Sequence, residues 1–146
     1  MDYRISVEID APPARVWAEL TDVERWPEWT ASVSRVERLE AGAFGKGSRA
    51  RVSQPKLQAM IWTVTEFEPE RSFTWTASAP GITSVGGHHL AASGDARVTV
   101  TLTMRQTGAL APIVGLLYGN LTRRYMSMEA EGLKRRAERA TTGSVA

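Results

Sequence analysis

The sequence contains no cysteine and only two histidines among its 146 residues. Without cysteine, disulfide scaffolds, thiolate zinc sites and a catalytic thiol are excluded. The two histidines, His88 and His89, are adjacent, and neighbouring residues of a strand point to opposite faces of a sheet. We therefore expect no metal site, and no motif in the sequence indicates a cofactor.

An excess of one charge is also missing. The 18 Lys and Arg residues nearly balance the 16 Asp and Glu residues, for a net charge of +2. The basic cluster Lys134, Arg135, Arg136 and Arg139 is interleaved with glutamates, which is more typical of a solvated helix face than of a nucleic-acid surface. We expect no nucleic-acid partner.

Long apolar runs are absent as well. No uninterrupted apolar segment approaches the roughly 18 residues that a membrane span needs. We therefore expect a soluble, cytoplasmic protein without stable membrane insertion, present as a monomer or a homodimer. A length of 146 residues suits one domain. We expect that domain over residues 1–140, followed by a disordered tail at 141–146.

The chain opens with a pattern that predicts a strand followed by a short helix. Ile5, Val7 and Ile9 alternate with polar residues, which is the period of a strand with one buried face. The pair Pro12–Pro13 suits the first turn of a helix, where the missing amide protons would have had no partner. We expect this helix to end near Leu20.

A second short helix is expected directly afterwards. Thr21 and Glu24 have the spacing of a capping box, and Pro27 should end the helix soon after it begins. From Thr30 onward, short alternating stretches separated by Gly, Pro and Asp predict an antiparallel sheet built from hairpins. Six further strands are expected over residues 33–40, 48–53, 59–67, 72–78, 83–91 and 97–106.

From residue 109 to about 140 the period lengthens to between three and four, which predicts one long helix. One apolar stripe contains Leu110, Ile113, Val114, Leu117, Leu121 and Met128. A second stripe, on another side, contains Met126, Ala130, Leu133 and Ala137. Either the helix curves near Gly132 to keep one side on the sheet, or the second stripe contacts another protomer. Curvature is favoured because helices commonly bend around a core.

Hairpin registers predict which side chains share a face of the sheet. The first two hairpins place Val64 opposite Trp75 and Phe73 opposite His88. A three-residue loop at 93–95 then places Leu90 opposite Val98 and His88 opposite Val100. One face would carry the large apolar side chains and one imidazole, from Met60, Trp62, Val64, Phe73, Trp75, His88, Leu90, Val98, Val100, Leu102 and Met104.

The other face is rich in threonine, so the sheet needs a single cover, and the long helix is the element of sufficient length. The near side of that helix carries the small residues Ala111, Gly115 and Gly119. Bulky walls opposite small residues predict a cavity between sheet and helix. The expected ligand-binding residues are Met60, Trp62, Val64, Phe73, Trp75, His88, Leu90, Val100, Leu117, Tyr118 and Leu121.

His88 is the main candidate for chemistry, because an imidazole can donate or accept a proton near neutral pH. The simpler interpretation is a buried histidine bonded to a neighbour. Tyr118 could likewise offer its hydroxyl to a bound carbonyl or merely pack. Trp62 and Trp75 suit either a ring-shaped ligand or a filled core. Trp17, Trp26 and Trp29 are expected mainly to fasten the short helices to the sheet, with Trp26 or Trp29 as an alternative lining of the pocket entrance.

The usual hydrolase and nucleotide-binding patterns are missing. The sequence shows neither paired carboxylates nor a Ser/His/Asp arrangement with a convincing nucleophile. The glycine-rich segment 42–47 lies between strands and does not open a helix, so it does not suit a phosphate. Glu66 shares the inward parity, but it lies at a strand end beside other glutamates, where we expect it to be solvated.

Several segments spread over nearly the whole chain have a recognisable order and spacing. They are IDAPPARVW at 9–17, LTDVERWPEW at 20–29, WTVTEFEP at 62–69, FTW at 73–75, HHL at 88–90 before Gly94-Asp95, and GLKR at 132–135. Together they resemble the START-like, helix-grip superfamily (also called SRPBCC), and within it the bacterial polyketide cyclase/dehydratase and lipid-transport group.

The resemblance implies an α+β helix-grip fold. In that fold a curved antiparallel sheet of about seven strands wraps around a long C-terminal helix, with two short helices after strand one. It also implies a hydrophobic cavity for a lipid, sterol, polyketide or other largely apolar molecule. Members range from enzymes to carriers and sensors, so the fold alone does not determine the chemistry.

Three functions follow from these observations. The first is a carrier, sensor or sequestering protein for a small hydrophobic molecule such as a lipid, polyketide or aromatic compound. The second is a polyketide cyclase, aromatase or dehydratase in which His88, with Tyr118 as its candidate partner, moves a proton in the same cavity. The third is a protein-interaction module, like the chaperone-stimulating relatives of this fold, which uses an exposed surface.

Overall fold

The computed structural model describes the backbone of residues 1–145 and the side chains of residues 1–139, and in this part of the chain seven strands form one antiparallel sheet. The strands are β1 (Asp2–Ile9), β2 (Arg35–Arg38), β3 (Arg49–Ser53), β4 (Met60–Glu68), β5 (Ser72–Ala79), β6 (Ile82–Ala92) and β7 (Val98–Thr107). Their order across the sheet is β1-β7-β6-β5-β4-β3-β2. Each strand therefore pairs with its neighbour in sequence, except that β1 pairs with β7.

Two short helices and one long helix accompany the sheet. They are α1 (Pro13–Thr21), a 3₁₀ helix (Val23–Glu28) and α2 (Ala111–Val145). Every strand is found within two residues of its predicted bounds, and α1 begins at the predicted proline. The tail at 141–146, for which we predict disorder, lies outside the residues whose side chains the structure describes, and Ala146 lies outside it altogether. That prediction stays untested.

The predicted capping box at the second helix is wrong. The hydroxyl of Thr21 donates to the carbonyl oxygen of Trp17 at 2.8 Å, and the carboxylate of Glu24 accepts the amide of Arg38 at 3.0 Å. Both side chains are thus engaged elsewhere. The helix is of the tighter 3₁₀ type, and Pro27 lies inside it instead of ending it.

The predicted registers of the first two hairpins are confirmed, with Val64 opposite Trp75 and Phe73 opposite His88. A β-bulge after Val64 shifts the end of β4 by one residue. Glu66 is therefore exposed, contrary to its predicted inward parity, and Phe67 packs against the core instead.

The predicted register of β6 with β7 is wrong by two residues. Leu90 lies opposite Val100, and His88 lies opposite Leu102. The cause is the loop, which spans residues 93–97 because pairing ends at Ala92 and Val98. A slip of two residues preserves the face to which each side chain points, so His88 stays on the apolar side.

The apolar face of the sheet forms most of the core. Buried on it are Trp62, Val64, Phe73, Trp75, His88, Leu90, Val98, Val100 and Leu102, while Met60 and Met104 are partly buried. Three elements cover this face. Helix α2 packs mainly on β1 and β7, α1 reaches β6, and the 3₁₀ helix packs on β2.

One continuous stripe of α2 faces the core, and it differs from the predicted one. It begins with the small residues Ala111, Gly115 and Gly119 and continues through the buried Met126, Ala130, Leu133 and Ala137. Gly115 lies against Met1, and Gly119 lies against Tyr3 of β1. The predicted first stripe is mostly solvent-exposed, with Leu117 68% and Ile113 54% exposed. No second protomer is needed to bury the second stripe.

Gly132 lies where α2 crosses the end of the 3₁₀ helix. A Cβ atom at this position would overlap the carbonyl oxygen of Trp29 and crowd its ring. Nearby, the guanidinium of Arg136 lies 3.2 Å from the carboxylate of Glu19 and 2.8 Å from that of Glu28, which ties all three covering elements together. The glycine is thus needed for this close approach.

We predict that Gly132→Ala lowers the free energy of unfolding by about 1–3 kcal/mol, the usual cost of overpacking. Alanine favours a helix by up to about 1 kcal/mol over glycine, so a net loss would identify the clash with Trp29. Gly45→Ala is the matched control, because nothing lies within 4 Å of its Cβ position. Urea denaturation of both variants measures the effect; an unchanged or more stable Gly132→Ala would contradict the assignment.

Candidate ligand-binding site

His88 lies in the middle of the apolar face and is only 5% exposed. Its Nδ1 lies 3.2 Å from the carbonyl oxygen of Phe73, and its ring stacks on the Phe73 ring at 4.1 Å between centroids. Because a carbonyl oxygen only accepts hydrogen bonds, Nδ1 carries the proton and Nε2 is left as an acceptor. Burial lowers the pKa of His88 to about 4, so the ring is neutral at pH 7.

Three indoles surround this imidazole. Trp26 and Trp75 each lie 5.7 Å from the His88 ring, and Trp62 lies 5.7 Å from Trp75. The indole Nε1 of Trp26 donates to the carbonyl oxygen of Leu20 at 2.9 Å, so its one polar atom is satisfied. Trp26 therefore does more than fasten the 3₁₀ helix, because it also forms a wall of the central cluster.

A cavity of about 50 Å³ lies between the sheet, the 3₁₀ helix and α2. Its lining is largely apolar, and its polar side chains are Gln54, His88 and Glu129, because the hydroxyl of Thr103 lies on the opposite face of the sheet with His89. Since one water occupies about 30 Å³ in the liquid, this space holds one or two water-sized groups. Two flexible methionines, Met104 and Met126, belong to the wall, and a larger guest would displace them.

The structure brings only some of the predicted site residues to this cavity. Trp62, Trp75 and His88 line it. The other predicted sheet residues, Met60, Val64, Phe73, Leu90 and Val100, lie on the same face but pack against neighbouring core side chains.

The helix residues predicted to line the cavity do not reach it. Leu117 is 68% and Tyr118 41% exposed, and Leu121 is partly buried away from the lining. Small residues occupy the inward side of this half of α2, which turns the larger side chains outward. The assignment of these three residues to the cavity wall is therefore corrected, and with it the pairing of Tyr118 with His88.

Glu129 is the residue that sequence reasoning missed. It lies on α2 beside the core stripe, one turn after Met126, and borders the cavity. Glu129 is only partly buried as a residue, but the loss of water around its carboxyl group raises the pKa of that group to about 8, so the protonated form predominates at pH 7. Its spacing from Met126 and Leu133 would have revealed it, had the second apolar stripe been taken as the inward one.

The cavity thus contains two titratable side chains that are both uncharged near neutral pH. A protonated carboxyl group can donate one hydrogen bond, and the Nε2 atom of a neutral imidazole can accept one.

Within residues 1–139, no group of three or more His, Asp and Glu side chains is placed to hold a metal ion. None of the helices in the described part of the chain combines the length and hydropathy that a membrane crossing requires.

Residues 2–138 match the model of a protein family described as polyketide cyclase / dehydrase and lipid transport. The chain belongs to this family. No curated protein sequence matches it significantly. Several solved structures have the same fold as this chain. It is the helix-grip fold of the START-like superfamily, as predicted from the sequence.

Among these structures is the Zhui aromatase/cyclase from Streptomyces sp. R1128, with a TM-score of 0.79, 19% identity and coverage of 97% of this chain and 95% of that one. A START superfamily protein from Mycobacterium smegmatis has a TM-score of 0.75 and 16% identity over 95% and 98% of the two chains. Norcoclaurine synthase from Thalictrum flavum has a TM-score of 0.75 at 10% identity over 97% and 96%. At such identities the likeness shows the fold alone.

The titration of His88 gives a prediction for stability. The pKa of His88 is about 4 in the folded chain, against the ordinary value of 6.5 after unfolding. The unfolded chain therefore binds the proton first as the pH falls. The stability that neutral His88 contributes is complete above pH 6.5 and is lost toward pH 4, a loss on the order of 3 kcal/mol.

Urea denaturation at several pH values between 4 and 7 measures this loss as the difference between the wild type and His88→Gln. His89→Gln is the matched control, because His89 is exposed on the opposite face. We expect the control to follow the wild type. Equal slopes for the wild type and His88→Gln would show that His88 is not held neutral.

Proposed function

We propose that this protein binds a small, largely apolar molecule in the cavity between the sheet and α2, as a carrier, sensor or sequestering protein. The observation that supports this most directly is the cavity itself, which borders three indoles and a neutral imidazole instead of being filled by a side chain. The family to which the chain belongs includes lipid transport in its description. Residues 1–140 are proposed as one ligand-binding domain, and the oligomeric state and cytoplasmic location stay predictions.

Apolar burial supplies enough free energy for such binding. A rigid ring compound that loses about 300 Å² of accessible surface gains several kcal/mol, at about 25 cal/mol per Å², before entropic costs. That is sufficient for micromolar affinity without any chemical step. A lipid, a polyketide or an aromatic compound would each meet this requirement.

Gly86 keeps part of the cavity open and provides the test. A methyl group there would lie 3.3 Å from the ring of Trp75 and 3.7 Å from that of Trp62. We expect Gly86→Ala to weaken binding of the apolar probe 2-methylnaphthalene about tenfold, equivalent to about 1.4 kcal/mol. The fold should be retained, because the neighbouring rings need to move by only a few tenths of an ångström.

Equilibrium dialysis with 2-methylnaphthalene measures the affinity, with Gly45→Ala as the control outside the cavity. No binding to the wild-type protein would refute the proposed function. Unchanged binding to Gly86→Ala would show that the probe binds outside this cavity.

A second candidate function is catalysis of a cyclase or dehydratase type. It is supported by the unengaged Nε2 of His88 at the cavity and by the fold shared with an aromatase/cyclase. However, an imidazole with a pKa of about 4 is a weaker base than an ordinary histidine by roughly two to three orders of magnitude. Binding without chemistry is therefore the better supported function.

Dehydration of 4-hydroxy-4-phenylbutan-2-one to its conjugated enone tests this second candidate. If Nε2 of His88 removes the α-proton and the resulting imidazolium returns it to the hydroxyl group, which leaves as water, His88→Gln should abolish turnover and retain binding of 2-methylnaphthalene. Absorbance of the enone follows the reaction. Turnover that survives His88→Gln would remove His88 from the mechanism.

A further inference from the structure

Two titratable side chains from different walls line the cavity. Glu129 comes from α2 and His88 from β6, and among the described lining residues these are the only titratable groups. Neither Lys nor Arg belongs to the lining. Among the described lining residues the titratable groups are therefore neutral, with no cation to receive an anionic ligand.

The cavity-side atoms of these two groups are not used by the protein. Nδ1 of His88 is bonded to the carbonyl oxygen of Phe73, but Nε2 has no hydrogen bond within the described residues. Glu129 has no hydrogen bond or ion pair in the same part of the chain, although Lys134 on its own helix pairs with Glu138. One donor and one acceptor are thus left for a guest.

The surroundings of Glu129 keep its proton in place. Although Glu129 is only half-buried, desolvation of its carboxyl group raises the pKa to about 8, with no opposing contribution from a nearby cation. The polar side chains that share the cavity from the other elements are neutral at pH 7: His88 on β6 and Gln54 after β3. On α2 itself, the inward neighbours Met126 and Leu133 are apolar.

We propose, building on the proposed function, that the cavity selects an uncharged ring compound with a hydroxyl group, to which Glu129 donates and from which His88 accepts a hydrogen bond. A hydroxyl group is the simplest substituent that both accepts and donates. A carboxylate is disfavoured, because it would enter an apolar cavity without a cation and face a second carboxyl group. Glu129 is then the residue that distinguishes alcohols and phenols from fatty-acid-like anions.

Three naphthalenes with one substituent each test this selectivity. At pH 6.5 we expect the wild type to bind 2-naphthol about tenfold more tightly than 2-methylnaphthalene, since each net hydrogen bond contributes on the order of 1 kcal/mol. We expect no detectable binding of 2-naphthoate. Isothermal titration calorimetry measures all three.

Variants at position 129 assign the selectivity to the carboxyl group. Glu129→Leu should still bind 2-methylnaphthalene but lose most of the preference for 2-naphthol. Glu129→Gln retains a donor and should retain the preference, both at pH 6.5 and at pH 8.5, where the wild type should lose part of it. Glu131→Gln is the matched control, because Glu131 is exposed on the same helix.

The outcomes separate this inference from the proposed function. If no naphthalene binds, the proposed function fails and the inference fails with it. If 2-methylnaphthalene and 2-naphthol bind equally, or if 2-naphthoate binds best, the function stands and the inference is overturned. The same holds if Glu129→Leu keeps the full preference for 2-naphthol.

Stability gives a second readout that needs no ligand. The pKa of Glu129 rises from the ordinary 4.5 to about 8 on folding, so the folded chain holds this proton more tightly than the unfolded chain. The corresponding stability is complete below pH 4.5 and is lost as the pH rises through 8. Glu129→Gln should remove this decline in urea denaturation, while Glu131→Gln should not. A wild type without the decline would contradict a buried, protonated Glu129.

Discussion

A sheet with one apolar and one threonine-rich face can be buried on one side only, and this requirement places every helix of the described chain. No single element covers the whole apolar face. Helix α2 lies over β1 and β7, whereas α1 and the 3₁₀ helix lie toward β6 and β2. The contacts of Arg136 and Gly132 hold these three elements together. The cavity lies where α2 and the 3₁₀ helix meet above the sheet, so the binding site is a consequence of a cover made from several pieces.

The electrostatic character of the site follows from the same burial. Placing an ion in a low-dielectric interior is costly unless it is paired, and a titratable group there is instead neutralised through its pKa. For His88 this lowers the pKa, so that the imidazole gives up its proton, and for Glu129 it raises the pKa, so that the carboxyl group keeps its proton. A site assembled from neutral groups suits a neutral guest, which is why affinity and selectivity can come from the same few side chains.

Much of the fold could be predicted because a register error of two residues leaves every side chain of a strand on the correct face of the sheet. The wrong register of β6 on β7 left His88 on the correct face, since the side-chain period of a strand is two. Helix α2 was less predictable. The small residues Ala111, Gly115 and Gly119 were correctly placed on its near side, but the large residues Leu117, Tyr118 and Leu121 cannot face inward at the same time, and the sequence pattern did not show this conflict. Glu129 was missed because a glutamate on a charged helix is ordinarily solvated, and because the second apolar stripe, beside which it lies, was not taken as the one facing the cavity.

The distribution of indoles has a practical consequence. Three of the five tryptophans, Trp26, Trp62 and Trp75, border the cavity, while Trp17 contacts Phe67 and Trp29 lies beneath α2. The emission of an indole depends on the polarity of its surroundings and on nearby quenchers. Occupancy of the interior is therefore readable from the intrinsic fluorescence of the unmodified chain, without any label attached to protein or guest.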